Sequence, residues 1–593
     1  MKALRWLPSL VAASLLATAL ACTKGAAAAN FEPQVDRIFS KWTASTPGCA
    51  VGVAADGKPV LARAYGMADL EHDVRNTPET IFEAGSVSKQ FTAAAVLLLA
   101  RDGRLSLDDP VRKYLPELPD YAAPPPAPGN TASTTAAAVP LTIRHMLHHI
   151  SGLRDWGNIA AIAGWPRTTR AHTHAHVLEI AGRQKSLNFA PGTRWSYSNT
   201  GFNLAAIVVS RVGGMSFAEF TRTRIFAPLG MTHTSWRDDF TRVVKNRAVA
   251  YDERRDGFHI DMPFENVHGN GGLLTTVGDL LKWNENFTTP VVGDAAFVAG
   301  QQQVGRFNDG RPLDYAFGLY NHTYKGVRQV DHSGSTAGYR AHLARYPDQR
   351  VSVAVLCNVS SGGATEALHA VADLYLAGHA KEAAPPQSAY TLTAADIDRT
   401  AGLYRNVATG VPLTIARTSG GLRVERGQAD GLTPPRGQAL AATDAAHFVT
   451  GSGQRWEFDG RGGGRVTDSL GSVDVYQRVE PVRPGADQLR ELAGTYASDE
   501  AETVLTVSAS GESLVIKRRP DTVLKLTPVY ADAFEAPQLG LVIFRRDGGR
   551  VTGLSVSQDR VWDLRFVREN AAGRSTSQAR LRSSSFGAPR AQN

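Results

Sequence analysis

The longest apolar runs in the body of the chain predict buried helices. Residues Phe91 to Ala100 (FTAAAVLLLA) are apolar on almost every face, and Arg101-Asp102-Gly103 ends the run with a glycine. The run Leu204 to Val209 predicts a second helix, preceded by a turn at Pro191-Gly192. Residues Ala364 to Leu376 predict a third helix, which closes the first large domain.

Shorter apolar stretches between turn residues predict strands. The first lies in PGCAVGVAA around Cys49. The stretch VDHSGSTAGYRAHLARYP predicts a strand that leads through Tyr339–Tyr346 to a turn at Pro347-Asp348, followed by a strand at Val351–Cys357. The mixture of buried helices and antiparallel strands indicates an α+β fold for this part of the chain.

Beyond residue 390 the pattern changes to short alternating runs between glycine turns, which is typical of antiparallel β-structure. Ala401-Gly402-Leu403-Tyr404 recurs as Ala493-Gly494-Thr495-Tyr496, 92 residues later, and Leu413–Ile415 recurs as Leu505–Val507 at the same offset. Each copy is too long for a propeller blade and fits one small barrel. The duplication therefore predicts two small antiparallel β-barrels.

A chain of 593 residues must hold more than one domain. The predicted division is a signal peptide at 1–29, a first large domain at 30–380, a linker at 381–390, a first barrel at 391–480, a second barrel at 481–570 and a disordered basic tail at 571–593. A Pro/Ala/Thr-rich insertion at 121–140 predicts an exposed, mobile loop near the cleft of the first large domain.

The N-terminus predicts export. Lys2 and Arg5 precede an apolar run that is too short for a comfortable membrane span, and Ala27–Ala29 offers small residues for cleavage. The tetrapeptide ending at Cys22 is similar to a lipoprotein box, so a lipid anchor at Cys22 is the alternative. We expect a soluble periplasmic protein, with a membrane-anchored lipoprotein facing the periplasm as the second interpretation.

The formal net charge of +8 overstates the charge of the folded part. Three positive charges lie in the leader and four in the tail, which leaves +1 for the rest. Nucleic-acid binding needs a basic face on a folded domain, so no nucleic-acid partner is predicted.

Ser86-Val87-Ser88-Lys89 places a hydroxyl and an ammonium one helical turn apart, at the start of the first predicted helix. A lysine in that position can activate a serine nucleophile. Helix N-terminal N–H groups favour the anion that develops during attack. A Ser-x-x-Lys match is expected about once by chance in a chain of this length, so its weight depends on the motifs found later in the chain.

Two later motifs complete the arrangement. In Tyr197-Ser198-Asn199, the tyrosine can act as a general base or proton shuttle if the lysine charge lowers its pKa, and Asn199 can orient a substrate carbonyl. In His332-Ser333-Gly334, small residues on a strand let a substrate backbone approach closely. Each motif alone is more often structural, but together they predict a catalytic site.

These motifs resemble those of the serine hydrolases of the penicillin-recognising group: class C β-lactamases, DD-peptidases, D-aminopeptidases and related esterases. The resemblance covers about residues 31–380 and includes LTIRHMLHHISGLRDW (141–156) and GNGGLLTTVGDLLKW (269–283). It implies a β-lactamase-like domain with an antiparallel sheet flanked by helices. The two barrels resemble the lipocalin-like barrels appended to some D-aminopeptidases.

The resemblance assigns roles to individual residues. Ser86 is expected to be the nucleophile, Lys89 its activating partner, and Tyr197 the general base or acid. The residues expected to bind substrate are Asn199, His332, Gly334 and Ser335. The oxyanion hole is expected to consist of the backbone N–H groups of Ser86 and Ser335. Which of Lys89 and Tyr197 takes the first proton is left open.

One departure from the family pattern concerns the third motif. Class C β-lactamases usually carry Lys-Thr-Gly there, whereas this chain has His332-Ser333-Gly334. A histidine with an ordinary pKa near ~6.5 is mostly neutral at pH 7, and so suits a β-lactam carboxylate less well than a lysine. The substitution favours a peptidase or esterase over a β-lactamase.

The resemblance also bears on the cysteines. In the family's sheet the strands that hold Cys49 and Cys357 are neighbours, so the two thiols are expected to lie close together. We expect two small buried thiols rather than a bridge.

Other chemistry is weakly represented in the sequence. No Gly-x-Ser-x-Gly motif, phosphate loop or dinucleotide fingerprint occurs. His172, His174 and His176 alternate and would share one side of a strand, but the residues after them predict a helix, so they are expected to be structural rather than metal ligands. No cofactor and no metal are predicted.

The sequence therefore predicts a serine hydrolase that acts through an acyl-enzyme on small peptides or amides containing D-residues. A short-chain esterase or a β-lactamase of the same family is the near alternative. A catalytically inactive protein that binds cell-wall fragments is the alternative from another class. A barrel loop that enters the catalytic cleft and barrels that only stabilise the protein are equally compatible with the sequence.

Overall fold

The computed structural model describes residues 31–121, 139–166, 170–381, 388–426 and 437–569. The predicted signal peptide, the Cys22 anchor, the basic tail, and most of the 121–140 insertion and the linker lie outside the described residues. Within these ranges no single helix is long and apolar enough to cross a membrane. The helix Asn199–Gly213 passes that test only together with the segment Phe217–Phe226, from which it is bent by 79°.

The first region is built on a mixed arrangement of helices and strands. Its strands are β1 (Cys49–Ala55), β2 (Lys58–Tyr65), β3 (Met67–Asp69), β4 (Val74–Arg75), β5 (Phe82–Glu83), β6 (Ser235–Trp236), β7 (Tyr251–Arg254), β8 (Gly257–Ile260), β9 (Leu273–Thr275), β10 (Tyr320–Tyr324), β11 (Val327–Thr336), β12 (Tyr339–Tyr346) and β13 (Val351–Cys357). Its helices are α1 (Glu32–Ile38), α2 (Lys89–Arg101), α3 (Ile143–Leu147), α4 (Trp156–Ile162), α5 (His174–Arg183), α6 (Asn199–Gly213), α7 (Phe217–Thr221), α8 (Val277–Glu285), α9 (Ala295–Gln301) and α10 (Ala364–Tyr375).

The main sheet is antiparallel and has the strand order β10-β11-β12-β13-β1-β2. One face packs against α1 and α10, and the other packs against α8 and the apolar layer that contains α2 and α6. The three helices predicted from the apolar runs are α2, α6 and α10. Helix α2 is buried nearly all round, as its composition predicts.

The C-terminal region forms two closed antiparallel barrels, each of eight strands within the described residues. The first, introduced by helix α11 (Ala394–Thr400), contains β14 (Gly402–Asn406), β15 (Pro412–Thr418), β16 (Gly421–Arg426), β17 (Gln438–Ala442), β18 (His447–Val449), β19 (Arg455–Phe458), β20 (Gly463–Thr467) and β21 (Val473–Val479). The second, introduced by helix α12 (Ala486–Leu492), contains β22 (Gly494–Ser498), β23 (Thr503–Ser510), β24 (Ser513–Arg518), β25 (Thr522–Tyr530), β26 (Ala533–Ala536), β27 (Gly540–Asp547), β28 (Arg550–Gln558) and β29 (Val561–Arg568).

The duplication extends to individual hydrogen bonds. The hydroxyl of Tyr404 donates to the carbonyl of Thr400 at 2.8 Å, and the hydroxyl of Tyr496 donates to the carbonyl of Leu492 at 2.6 Å. Both tyrosines therefore anchor the first barrel strand to the short helix before it. The prediction of two barrels related by an offset of 92 residues is confirmed.

The second barrel shares an apolar core with the catalytic region. Trp156, Ile159 and Ile162 on α4 and Val177 on α5 pack in one cluster with the barrel interior. At the edge of this contact, the side chains of Arg154 and Glu500 form an ion pair at 2.8 Å and are 2% and 8% exposed. A buried ion pair of this kind fixes the relative position of the two parts, because separating it leaves an uncompensated charge.

The expectation of two free thiols is wrong. Cys49 on β1 and Cys357 on β13 lie directly opposite each other in the antiparallel register, with Cα atoms 4.0 Å apart, and they form a disulfide. The sequence indicates neighbouring strands but not their register, and the register decides whether two thiols on paired strands can bond.

Removing this cross-link is expected to lower the stability of the catalytic region. The disulfide joins residues 308 positions apart, so it restricts the unfolded chain strongly, and we expect the Cys49→Ala/Cys357→Ala variant to lose about 2–5 kcal/mol in the free energy of unfolding. Chemical unfolding followed by tryptophan fluorescence measures the loss. A reducing agent should destabilise the parent protein and leave the double variant unchanged. Equal denaturant midpoints of unfolding for the parent and the double variant would contradict the expectation.

Candidate active site

Ser86 lies in a single turn of 3₁₀ helix, Gly85–Ser88, that leads directly into α2. Gly85 has a φ of 50°, and a Cβ atom there would lie only 2.6 Å from the backbone nitrogen of Ser335. The hydroxyl of Ser88 donates to the Gly85 carbonyl at 2.6 Å and accepts from the N–H of Leu273 at 3.1 Å. The turn is thus fixed from both sides, and Ser86 faces the pocket.

Lys89 is fully buried behind the serine. Its ammonium lies 3.1 Å from the Oγ of Ser86, 2.9 Å from the Oδ1 of Asn199 and 2.7 Å from the carbonyl oxygen of Asn270. It also lies 4.7 Å from the centroid of the Tyr197 ring. The carbonyl oxygens of Asn199 and Asn270 can only accept, so two N–H groups of Lys89 are directed at them, and Nζ also lies within hydrogen-bond distance of the Ser86 hydroxyl.

Tyr197 completes the group, because its ring lies beside Lys89 and its hydroxyl interacts with the side chain of Ser86. Its ring lies 4.2 Å from the ring of His149, whose Nδ1 accepts from the N–H of Ser198 at 3.1 Å. Burial raises the pKa of Tyr197 above its ordinary value, and the hydrogen bond to Ser86 opposes that rise. The tyrosine is therefore neutral, whereas the role of a base that the sequence allowed requires its pKa to be lowered.

Asn199 begins α6, and its backbone N–H donates to the carboxylate of Asp155 at 2.7 Å. Its side-chain carbonyl accepts from Lys89, so this oxygen orients the lysine. The residue also lines the pocket, as expected of a substrate contact. The sequence predicts only the substrate contact of Asn199, and the structure adds its contact with Lys89.

The third motif lies on β11, beside the nucleophile turn. A Cβ atom at Gly334 would lie 2.0 Å from the carbonyl oxygen of Ala84 and 3.0 Å from the backbone nitrogen of Ser86. Only glycine allows this approach. It brings the backbone nitrogens of Ser86 and Ser335 to the same end of the pocket, which is the arrangement that an oxyanion hole requires.

His332 is buried and neutral. Its Nε2 lies 3.1 Å from the hydroxyl of Tyr315, and its Nδ1 lies 2.6 Å from the carbonyl oxygen of Ser333. Burial, reinforced by the positive charge of Lys89, lowers the pKa of His332 to about 3. The third motif therefore presents no fixed cation to a substrate carboxylate.

This lowered pKa predicts a pH dependence of stability. Between pH 6.5 and about 3 the folded protein keeps the His332 imidazole neutral while the unfolded chain binds a proton, so the free energy of unfolding falls as the pH falls. We expect the slope between pH 5 and 6 to be shallower in His332→Gln than in the parent, by about 1 kcal/mol per pH unit. Equilibrium unfolding across this range measures it, with the exposed His379→Gln as the control. Equal slopes in the parent and His332→Gln would contradict the expectation.

The histidines at 172, 174 and 176 do not converge on one point. The Nε2 of His174 lies 2.9 Å from the carbonyl oxygen of His268, and the Nε2 of His172 lies 3.2 Å from the carbonyl oxygen of Trp165. His176 contacts Thr173, as part of the cap of α5. Their positions agree with the structural interpretation.

The hairpin between β28 and β29 of the second barrel enters the pocket. Gln558, Asp559, Arg560 and Trp562 line it together with Ser86. The guanidinium of Arg560 lies 4.7 Å from the centroid of the Tyr197 ring. The barrel loop that the sequence left undecided therefore does reach the catalytic cleft.

The hairpin is fixed by backbone contacts with the catalytic region. The carbonyl oxygen of Arg560 accepts from the N–H of Asp155 at 3.2 Å and from the side chain of Asn188 at 3.0 Å. Asn188 also accepts from the N–H of Trp562 at 2.9 Å. Because Asp155 caps α4 and also accepts from the N–H of Asn199 at the start of α6, the hairpin and α6 share one support.

The first region, which carries Ser86, Lys89 and Tyr197, matches the Beta-lactamase family over residues 28–377. The chain belongs to the beta-lactamase family. The site and this match identify it as a serine-type hydrolase.

Individual relatives extend the comparison. The chain is 28% identical over 544 residues to a D-aminopeptidase of Gluconobacter oxydans, covering 88% of this chain and 96% of that protein. It is 28% identical over 327 residues to penicillin-binding protein 4* of Bacillus subtilis, covering 52% of this chain and 67% of that one. The solved structure of an octameric penicillin-binding protein homologue from Pyrococcus abyssi has the same fold over 75% of this chain and 99% of its own, with 22% identity and a TM-score of 0.50.

Proposed function

We propose that this hydrolase is a D-aminopeptidase that releases the N-terminal D-residue of small peptides and amides through an acyl-enzyme on Ser86. The observation that carries the proposal is the second-barrel hairpin in the pocket of Ser86. It adds a carboxylate, that of Asp559, to the lining of the pocket, and this group can serve as the counter-charge of a free α-ammonium. The similarity to a D-aminopeptidase over 88% of the chain, barrels included, supports it.

The geometry assigns separate proton transfers to Lys89 and Tyr197. The mechanism requires Lys89 to lose one proton first; its neutral amine then has two N–H hydrogens for the carbonyls of Asn199 and Asn270 and one lone pair for the Ser86 hydroxyl. Lys89 then takes the proton as Ser86 attacks the carbonyl carbon. The neutral hydroxyl of Tyr197 gives its proton to the departing amine and is reprotonated from Lys89. Water then attacks the acyl-enzyme ester by the same transfers in reverse: a proton of the water passes through Tyr197 to Lys89, and Lys89 returns it to the departing oxygen of Ser86.

The neutral His332 supports an amide substrate without a terminal carboxylate. A fixed cation at this position would favour a β-lactam or a peptide C-terminus, whereas a neutral imidazole offers no such charge. The substrate's charge is instead its ammonium, which the Asp559 carboxylate attracts.

Turnover of D-alanyl-p-nitroanilide, run beside the L isomer, tests the proposal. We expect release of p-nitroaniline from the D form alone, and its loss in Ser86→Ala. Turnover of p-nitrophenyl acetate in the same preparation with no turnover of either anilide would identify an esterase and overturn the proposal. No turnover of any substrate, with retained binding of D-alanyl peptides, would identify a binding protein.

Asp559→Asn tests the recognition of the amine. Because the carboxylate is exposed, we expect a rise in KM of about fivefold for D-alanyl-p-nitroanilide. The parent and the variant should cleave the N-acetylated anilide at equal, low rates. An unchanged KM for the free amine would contradict the assignment of Asp559.

We also propose that the protein is exported to the periplasm, with a lipid anchor at Cys22 as the alternative. The charged and apolar leader and the buried Cys49–Cys357 disulfide support export, because such bonds form and persist in oxidising compartments. Release by osmotic shock is the expected result. Retention in the membrane fraction that is lost in Cys22→Ala would favour the anchor.

A further inference from the structure

The cavity that contains Ser86 is larger than the proposed acyl group needs. Its volume is about 1110 Å³, whereas pockets for drug-sized ligands measure roughly 300–1,000 Å³. An aminopeptidase holds a single residue on the acyl side of the scissile bond. The remaining volume therefore lies on the side of the leaving group.

The first barrel forms much of the remaining wall. Its lining residues come from neighbouring strands and their connecting turns: Asn406, Thr409, Val411, Pro412, Leu413, Gln454, Val466, Asp468, Asp474 and Tyr476. Leu413, Val466 and Tyr476 also belong to the apolar interior of the barrel. The open end of this barrel, which we call the barrel mouth, is thus continuous with the cavity around Ser86.

Contacts with the rest of the protein hold the barrel mouth in place. On one side, Arg194 forms an ion pair with Asp474 at 2.6 Å and donates to the carbonyl of Val473 at 2.6 Å. On the other side, the hydroxyl of Tyr530 in the second barrel donates to the carbonyl of Gly410 at 2.7 Å. A wall fixed in this way binds a ligand without the cost of ordering a loop.

The polar groups of the barrel mouth are mostly uncharged. Gln454 and Thr409 are partly exposed there, and the charge of Asp474 is neutralised by Arg194. The other carboxylate of the lining, that of Asp468, accepts from the N–H groups of Leu470 and Ser472. The indole N–H of Trp195, on the same cavity wall, has no acceptor among the described residues, and neither does that of Trp456 inside the barrel. Amide groups and unpaired donors suit the carbonyl and N–H groups of a peptide backbone rather than an ion.

We propose that the barrel mouth is a leaving-group subsite, which binds the backbone of the residues that follow the N-terminal D-residue of an uncharged peptide. This inference rests on the proposed function. It makes the natural substrate a peptide of several residues, and it gives the first barrel a role in choosing substrates by length.

Hydrolysis of a length series tests it: D-alanyl-p-nitroanilide, D-Ala-Gly-amide, D-Ala-Gly-Gly-amide and D-Ala-Gly-Gly-Gly-amide. We expect kcat/KM to rise by about tenfold between the shortest and the longest amide, through lower KM. In Gln454→Trp the indole fills the barrel mouth. The ratio of kcat/KM for the longest amide to kcat/KM for the shortest amide should therefore fall to about one. Gln438→Ala, at an exposed glutamine of the same barrel that does not line the cavity, should keep the parent ratio.

The outcomes separate the two proposals. A ratio near one in the parent, or a ratio in Gln454→Trp equal to that of the parent, would overturn the barrel-mouth subsite while D-alanyl-p-nitroanilide is still cleaved. If the parent protein does not cleave D-alanyl-p-nitroanilide, this result would instead overturn the proposed function. Thermal unfolding of Gln454→Trp checks its fold, and Gln454→Ala gives a second, milder loss of length dependence if the larger side chain disturbs the barrel.

Discussion

Replacing Ser86 by alanine is expected to lower kcat for D-alanyl-p-nitroanilide by about 10⁴- to 10⁶-fold, to the level that binding and the oxyanion hole alone support. The hydroxyl is the only side-chain atom that the variant loses, and the turn that presents it is held by Ser88 and by the packing of Gly85 against Ser335. The fold and the affinity for substrate should therefore persist. Stopped-assay turnover and calorimetric binding measure the two quantities separately.

The role of Lys89 predicts that its effect does not add to that of Ser86. Lys89→Met should cost nearly as much as Ser86→Ala, because the methionine keeps the length and burial but cannot take a proton. The double variant should be no slower than the slower single one, as for groups that act as a unit. Multiplicative losses would show that the two residues act independently, contrary to the mechanism.

The second large effect is expected from Tyr197→Phe, which should lower kcat by about 10²–10⁴-fold with little change in KM. The phenyl ring keeps the contacts with His149 and Arg560, so only the hydroxyl bonded to Ser86 is removed. A phenol that gives its proton to the leaving group matters most when that group is a poor one. The loss should therefore be larger for an amide than for an ester or a p-nitroanilide.

Parallel assays of D-alanine amide and D-alanine methyl ester test this distinction. Equal losses for both substrates would assign Tyr197 to positioning Ser86 rather than to protonation of the leaving group. If kcat for the amide changes by less than fivefold in Tyr197→Phe, Tyr197 takes no part in the proton transfers.

The parts of the site that sequence reasoning finds are those with a local signature. Ser86 and Lys89 are one helical turn apart, and a buried apolar helix comes directly after them, so their proximity is set by a few residues. Tyr197 is found because it precedes a second apolar run and because the order of the motifs matches a family. The barrels are found because several segments at the start of the first copy recur in the second at an offset of 92 residues.

The parts that escape sequence reasoning depend on long-range register. Asn270 contributes a backbone carbonyl, which every residue type carries, so nothing in the sequence marks it. Arg560 lies 363 positions after Tyr197, in a hairpin whose composition resembles other barrel turns. The disulfide required the alignment of β1 with β13, which neither strand's own pattern contains.

Burial also favours one of the two roles, base or acid, that the sequence left open for Tyr197. The sequence permits a tyrosinate if the lysine charge dominates, but the surrounding rings of His149 and Trp195 remove water from Tyr197, and burial raises its pKa. The desolvation of a side chain is a property of the assembled site, so no motif predicts it. This is why the proposed order of proton transfers depends on packing rather than on the motif.

The most direct test of the acyl-enzyme on Ser86 is rapid-quench mass spectrometry with D-alanine methyl ester as the substrate. We expect that the peptide containing Ser86 gains the mass of one alanyl residue within the first turnover, that L-alanine methyl ester gives no such species, and that the Ser86→Ala protein is unmodified. Turnover of the D ester without an acylated peptide, or acylation at another residue, would contradict the proposed mechanism.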